Sequence, residues 1–261
     1  MLSNASERRR IVELWRKGNA VAMATLVHVE GSSYRAAGAR ILIARDGTYV
    51  GSVSGGCLEA EIVRKAQWMV RAGAQVVRYS TLFDDTADIP YGLGCGGTVD
   101  VLLEPAGTPD FEALMHALEA SLAGEVRRVT TWEPTAERPL QREVSGEHLQ
   151  PVYSSAEAAG IEEEGFSERL DPPQRLLIFG AGDDAQPLVR MASQLGWTLL
   201  VVDGRAQWAR ASRFPEADRV VAAQELGDVR VNRNDAVVLM THSYEQDRQW
   251  LEQVLPCQPC Y

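Results

Sequence analysis

Apolar positions change their spacing along the chain, and each change marks an element. Ile11, Val12, Leu14 and Trp15 recur at helical spacing behind Asn4-Ala-Ser-Glu7, a segment with capping-box character, and Gly18 ends the predicted helix. Ala20 to Val29 is an unbroken apolar, β-prone run and predicts a buried strand. A turn-rich loop follows, Glu30 to Gly38, before two β-prone runs that flank Arg45-Asp-Gly47, a hairpin signal. Leu58, Ile62, Val63, Ala66 and Met69 return to helical spacing, and Gly73 ends that helix. Val76 to Leu82 and Val99 to Leu103 read as strands, Asp110 to Leu122 as an amphipathic helix, and Glu125 to Trp132 as another strand. From Glu133 to Pro173 the pattern is weak and rich in Glu, Pro and Ser, which suggests a peripheral strand or two and a linker.

After the Pro172-Pro173 pair the pattern sharpens. Arg175 to Phe179 is a strand, Gly180-Ala-Gly182-Asp-Asp-Ala185 opens a helix to Leu195, and Trp197 to Val202 is a strand ending at Asp203. Strand, G-x-G-x-x-A, helix, strand and acid are the dinucleotide-binding fingerprint in its own βαβ setting. Gly180, Gly182, Ala185, Asp203 and Arg205 are therefore nucleotide-binding candidates. Asp203 suits a ribose 2′-OH, whereas Arg205 suits a 2′-phosphate. Against them, Asp183 and Asp184 put like charge where a pyrophosphate would lie. Arg219 to Ala222 and Asp235 to Met240 complete a parallel sheet. His242 follows the last of these strands, at the carboxyl end where such sheets bind ligands. A helix from Tyr244 to Leu255 precedes a tail, Pro256 to Tyr261, read as mobile.

The fold class expected is α/β: an N-terminal α+β domain (1–132), a weakly patterned extension and linker (133–173), and a short C-terminal Rossmann-like domain with a parallel sheet (174–261).

Candidate chemistry collects in two glycine stretches, Gly51-Ser-Val-Ser-Gly-Gly-Cys57-Leu-Glu59 and Tyr91-Gly-Leu-Gly-Cys95-Gly-Gly97. The first lies between a strand and a helix start, so backbone N–H groups and a helix dipole converge on one spot. A thiol there is biased toward thiolate. The alternative is a tight turn around a small buried cysteine. If the loop needs φ > 0 at Gly55, Gly55→Val should harm folding more than Cys57→Ala.

Composition narrows the partners. A net charge of −10 leaves no basic footprint for nucleic acid or an anionic membrane. The N-terminal residues carry no apolar leader, and no apolar run approaches a membrane span, so a cytoplasmic address is expected. Four cysteines then favour thiol, metal or redox work over a disulfide framework. Cys257-x-x-Cys260 would need Cys57 and Cys95 to complete a four-ligand zinc site. His28, His116 and His148 read as structural or uninformative.

Gly31-Ser-Ser, Gly38-Ala-Arg40, Ser54-Gly-Gly-Cys57-Leu-Glu59, Gly94-Cys95-Gly-Gly97 and the late Rossmann unit with Thr241-His242 together resemble the XdhC/CoxI family, accessory proteins for molybdenum hydroxylases. The resemblance covers roughly residues 8–105 and 172–255. It implies a helper that binds the molybdopterin form of the molybdenum cofactor between its two domains, supports exchange of an oxo for a sulfido ligand, and delivers the cofactor to an apo molybdenum hydroxylase. A cysteine desulfurase is the implied sulfur donor. It also implies Cys57 and Cys95 as the motif cysteines and molybdenum ligands, cradled by Ser54, Gly55, Gly56, Gly96 and Gly97. Arg35 and Arg40 are phosphate partners on this reading, with solvated surface arginines as their alternative. Relatives usually run on past the last strand, so a truncated and a divergent member both stay open, and Asp183 stands where they often carry Pro or His. Two other readings stay open: an NAD(P)-dependent oxidoreductase using the Rossmann domain, and a metal-binding interaction module. A homodimer is also left open.

Overall fold

The computed structural model describes residues 5–56, 58–80, 89–90 (backbone), 97–156, 165–227 and 229–261. Contacts divide the chain into two units, Met1–Pro172 and Pro173–Tyr261.

The first unit begins with α1 (Ala5–Arg16), β1 (Ala20–Gly31), β2 (Arg40–Ala44), β3 (Tyr49–Gly51) and α2 (Glu59–Met69). Gly73, at φ 114°, stops the 3-10 turn that follows α2. Then come β4 (Gln75–Ser80), β5 (Ile89–Pro90), β6 (Gly97–Pro105) and α3 (Pro109–Leu122). These strands form one six-stranded sheet in the order β3-β2-β1-β6-β4-β5. Its pairs are antiparallel apart from β4 with β5. From Ala22 to Val27 the central strand β1 is buried, and apolar apart from Thr25, because both of its faces are covered there. Ala22, Ala24 and Leu26 meet Ile62 and Ala66 of α2 on one side. Met23 on the other side joins Ile11 and Val12 of α1 and Phe111, Leu114 and Leu118 of α3. Each such large side chain, fully removed from water, contributes about 1.5–3 kcal/mol.

Residues 133–173 are structured more fully than their pattern suggests. They supply β8 (Gln141–Ser145), β9 (Pro151–Ser154) and β10 (Phe166–Leu170), which join β7 (Arg127–Trp132) in a second sheet ordered β10-β7-β8-β9. Two buried ion pairs join the sheets. Arg142 of β8 forks onto Glu104 of β6 at 2.9 and 3.1 Å, donates to the Asp110 carbonyl and to Thr131, and is 1% exposed. Arg40 of β2 pairs with Glu168 of β10, both almost fully buried.

The second unit runs β11 (Arg175–Phe179), α4 (Ala185–Gln194), β12 (Thr198–Asp203), β13 (Arg219–Ala222), β14 (Ala236–Leu239) and α5 (Tyr244–Val254). Its sheet is parallel, in the order β13-β12-β11-β14. The order reverses at β11, so the turn after that strand lies at the topological switch point. Gly180 fits that turn because its φ is 124° and a Cβ would collide with the Met240 carbonyl. The C-terminal tail is docked rather than loose. Cys260 N donates to the Asp235 carbonyl and Val237 N to that of Tyr261, each at 3.0 Å, along the edge of β14.

Candidate functional site

The first glycine stretch leaves β3 through Gly51, at φ 100°, where a Cβ would collide with the Arg40 carbonyl. Val53 is buried and anchors the loop. Glu59, the first residue of α2, turns back into it and is 3% exposed. Its Oε1 accepts from Ser52 Oγ at 2.8 Å, Val53 N at 3.1 Å and Ser54 N at 2.8 Å. Its Oε2 accepts from Ser54 Oγ, which in turn accepts from Leu58 N at 3.0 Å. Burial works to raise this carboxyl, but the hydrogen bonds from Ser54 and Ser52 outweigh it and leave the group below its ordinary value. An acid at the positive end of α2 is also well placed for the dipole. Ser54 thus shapes the loop. Of the adjacent pair Gly55 and Gly56, the one with a left-handed backbone is Gly56, at φ 109°. What Gly55 requires is room, because Tyr34 lies against it.

The exit of β1 meets both glycine stretches. Gly31 is paired with Gly97 across β1 and β6. A Cβ on Gly97 would collide with the Ser32 carbonyl and stand 2.9 Å from that of Glu30. Three residues past Gly31, the Tyr34 ring packs over Gly55 while remaining 77% exposed. Arg35 Nη2 binds Glu7 Oε2 at 2.6 Å, and Glu7 Oε1 accepts from Ser52 N at 3.2 Å. Glu7 of α1 therefore holds the β1 exit and the glycine loop together. Cys57, Cys95 and Gly96 fall outside the described residues. Arg40 is neither of the things the sequence suggested: it is buried, bonded to the Gly38 carbonyl at 2.8 Å and paired with Glu168.

In the second unit the predicted nucleotide residues gather at the carboxyl ends of the strands. Asp203 is 3% exposed. Its Oδ1 accepts from Arg205 N at 2.8 Å and Arg205 Nε at 2.9 Å, and its Oδ2 from Ala181 N and Arg205 Nη2, both at 2.7 Å. Burial opposes ionisation here, and the Arg205 and Ala181 hydrogen bonds hold the carboxyl below its usual range. His242, at φ 62°, donates through Nε2 to Asp184 Oδ2 at 2.8 Å. Arg213 Nη2 donates to Asp183 Oδ1 at 2.7 Å. Ala185 is buried at the start of α4. Cys257 and Cys260 both donate to backbone carbonyls, and among the described residues no group of three His, Cys, Asp or Glu could hold a metal. No helix among them is long and apolar enough to cross a membrane.

Two family models match the chain, "XdhC and CoxI family" over residues 14–80 and "XdhC Rossmann domain" over residues 176–261. The crystal structure of a xanthine dehydrogenase from Bacillus halodurans superposes with a TM-score of 0.82 at 30% identity, covering 98% of this chain and 80% of that one. The chain belongs to the XdhC and CoxI family. Two curated relatives agree. A probable xanthine dehydrogenase subunit from Bacillus subtilis is 29% identical over 87% of this chain and 73% of its own length. The molybdenum cofactor insertion chaperone PaoD from Escherichia coli is 25% identical over 97% of this chain and 69% of its own.

Within the XdhC and CoxI match lie two residues that sequence patterning does not assign to the site, Tyr34 and Glu59. Glu59 ends the Ser-Gly-Gly-Cys-Leu-Glu string, and its place in the first helical turn is a signal. Tyr34 has a weaker one, an aromatic in a polar turn beside Gly31-Ser-Ser. The paired sheet elements β6 to β10 fall outside both matched ranges.

Proposed function

We propose that the chain binds a molybdenum cofactor of the molybdopterin type and inserts it into an apo molybdenum hydroxylase of the xanthine dehydrogenase kind. The names of its relatives support the class: one is a molybdenum cofactor insertion chaperone, and two carry xanthine dehydrogenase in theirs. The observation that carries the site is the β1 exit, which lies against Gly97 through Ser32 and against Gly55 through Tyr34.

Each residue then has a task. Glu59 uses the N–H groups of Val53 and Ser54 to set the loop, so a ligand anion would take those of Gly55 and Gly56. Tyr34 offers its solvent face to the flat ring of the pterin. Arg35 would share its guanidinium between Glu7 and a ligand phosphate, and Arg40 has none to give. Cys57 and Cys95 are the proposed thiolate ligands, soft donors suited to a metal already carrying sulfur. Gly96 and Gly97 complete the cradle. Exchange of oxo for sulfido during residence, with a cysteine desulfurase as persulfide donor, a thiol reductant supplying the two electrons that take that sulfur to the sulfide level and the oxo leaving as water, belongs to the same proposal.

The test is reconstitution. Chain purified from a molybdopterin-making host is mixed with apo-hydroxylase, with and without a cysteine desulfurase and cysteine. Hydroxylase activity should appear, and should depend on the desulfurase if sulfuration occurs on this chain. No activation by a cofactor-loaded chain would overturn the insertion role.

A further inference from the structure

The fold of the second unit implies NAD(P), and the matched sequence fingerprint points the same way. The residues that stand at the fingerprint positions do not fit that cofactor. We infer that this Rossmann unit keeps its dinucleotide position closed with its own side chains, Asp184 filling the place of the pyrophosphate and Arg205 the place of the ribose.

The phosphate end comes first. In a dinucleotide site the second glycine leaves room for pyrophosphate to approach the backbone. Here a Cβ on Gly182 would collide with Asp184 Oδ1, so that room is already filled by a carboxylate. The carboxylate is held in place by His242, whose Cδ2 stands 3.7 Å from the same point and whose Nε2 binds Asp184 Oδ2. Asp183 beside it spends its charge on Arg213. Arg213 also donates to the carbonyls of Ala181 at 2.5 Å and Trp208 at 3.1 Å, so it frames the turn and is not presented to a ligand. A pyrophosphate entering here would displace one carboxylate and lie beside another.

The ribose end is closed by counting. A carboxylate offers about four acceptor positions. Asp203 has two donors on each oxygen, three of the four from Arg205 and one from Ala181 N. No position is left for a ribose 2′-OH. Nor does Arg205 suit a 2′-phosphate, because its Nε and Nη2 are committed to Asp203 and a phosphate on them would face that buried carboxylate. Arg205 is further held over Trp208, its guanidinium carbon 5.1 Å from the ring centroid, with Arg213 at 4.5 Å from the same ring. The closure has two parts, the surface pair of Asp184 with His242 at the phosphate end and the buried Asp203 carboxylate with Arg205 at the ribose end.

Closure by the chain's own groups can be undone by substitution. Asp184 sits at the N-cap of α4 without making a side-chain cap hydrogen bond, so Asp184→Ala removes the plug at little cost to the helix. Arg205→Ala frees one acceptor position on each Asp203 oxygen and leaves the backbone donors of Ala181 and residue 205 in place. The full-length parent, Asp184→Ala and the double variant are titrated with NADH and NADPH. Energy transfer from tryptophan and calorimetry report binding, and thermal melting reports folding. The parent should show no saturable binding up to about 1 mM, the upper range of ordinary substrate constants. Asp184→Ala should bind detectably, and the folded double variant at least about tenfold more tightly than the parent. Saturable micromolar binding by the parent would overturn the inference. So would variants that fold and bind no better than the parent, and if the double variant fails to fold, Asp184→Ala alone decides.

Discussion

Tyr34 lies flat over Gly55, with three of its ring carbons 3.2, 3.2 and 3.4 Å from where a Cβ on that glycine would stand. One face of the ring is thus covered by glycine backbone, and the side chain is still 77% exposed. If a pterin stacks on the outer face, Tyr34→Ala should weaken its retention by roughly the 1–3 kcal/mol that stacking of a base on an aromatic is worth. Tyr34→Phe should keep most of it. Gly55→Ala should lift the ring and lower retention while leaving the melting temperature nearly unchanged, since Gly55 does not need a left-handed backbone. Pterin content per mole of purified variant is the readout, and equal content in Tyr34→Ala and parent would remove Tyr34 from the site.

Glu59 ties the glycine loop to α2, and replacing it with Gln gives up charge-assisted hydrogen bonds worth about 1–3 kcal/mol at neutral pH. The pH dependence follows from its depressed folded value. The stabilisation is fully present above the unfolded value of about 4.3 and is lost as pH falls through the lower folded one. Denaturant melts of parent and Glu59→Gln should therefore differ at pH 7 and converge below about pH 4. A gap that stays constant into acid would contradict the assignment of Glu59 as the ionised centre of the loop.

Arg142 and Glu104 form a pair with almost no solvent around it, 1% and 0% exposed. Removing one partner leaves the other buried and uncompensated, which costs about 3–5 kcal/mol. Glu104→Ala should lower the melting temperature by on the order of 10 °C. A double change to apolar residues of similar volume should recover much of that loss. Calorimetry on the three proteins separates an uncompensated charge from simple loss of packing.

The tail docked on β14 predicts a cost for its removal. Deleting residues 256–261 takes away the two backbone hydrogen bonds that dock the tail beside β14 and the contact of Cys260 Sγ with the Asp235 carbonyl, about 2 kcal/mol for the docking. Tryptophan fluorescence of Trp250 during unfolding should report that loss, while pterin content stays as in the parent. Pterin lost with the tail would bring Cys257 and Cys260 back as ligand candidates.

The elements with clean periodicity were legible from the sequence: β1, β2, α2, α3 and the βαβ unit through Asp203 all stand where apolar spacing put them. Strands β8 and β10 were not. Gln-Arg-Glu-Val-Ser and Phe-Ser-Glu-Arg-Leu turn Arg142 and Glu168 inward, against the polar-out rule. Their partners, Glu104 and Arg40, are far away in the chain, so no local pattern could show that these charges would be matched. The site was legible to the same extent. A glycine stretch between strand and helix announces itself, but its internal anion is visible only once Glu59 is seen folded back on Ser52 and Ser54. The fingerprint after β11 gave the fold correctly, while the side chains that fill it, Asp184 and Arg205, act through contacts that spacing alone does not reveal.

The central claim is that the two glycine stretches hold a molybdopterin-type cofactor through Cys57 and Cys95. The most direct measurement is the fluorescent pterin released by oxidation from chain purified out of a molybdopterin-making host, beside Cys57→Ala and Cys95→Ala. Near-stoichiometric pterin in the parent, lost in both folded variants, is the result predicted. Pterin absent from a folded parent despite ample supply, or retained equally by both variants, would contradict it.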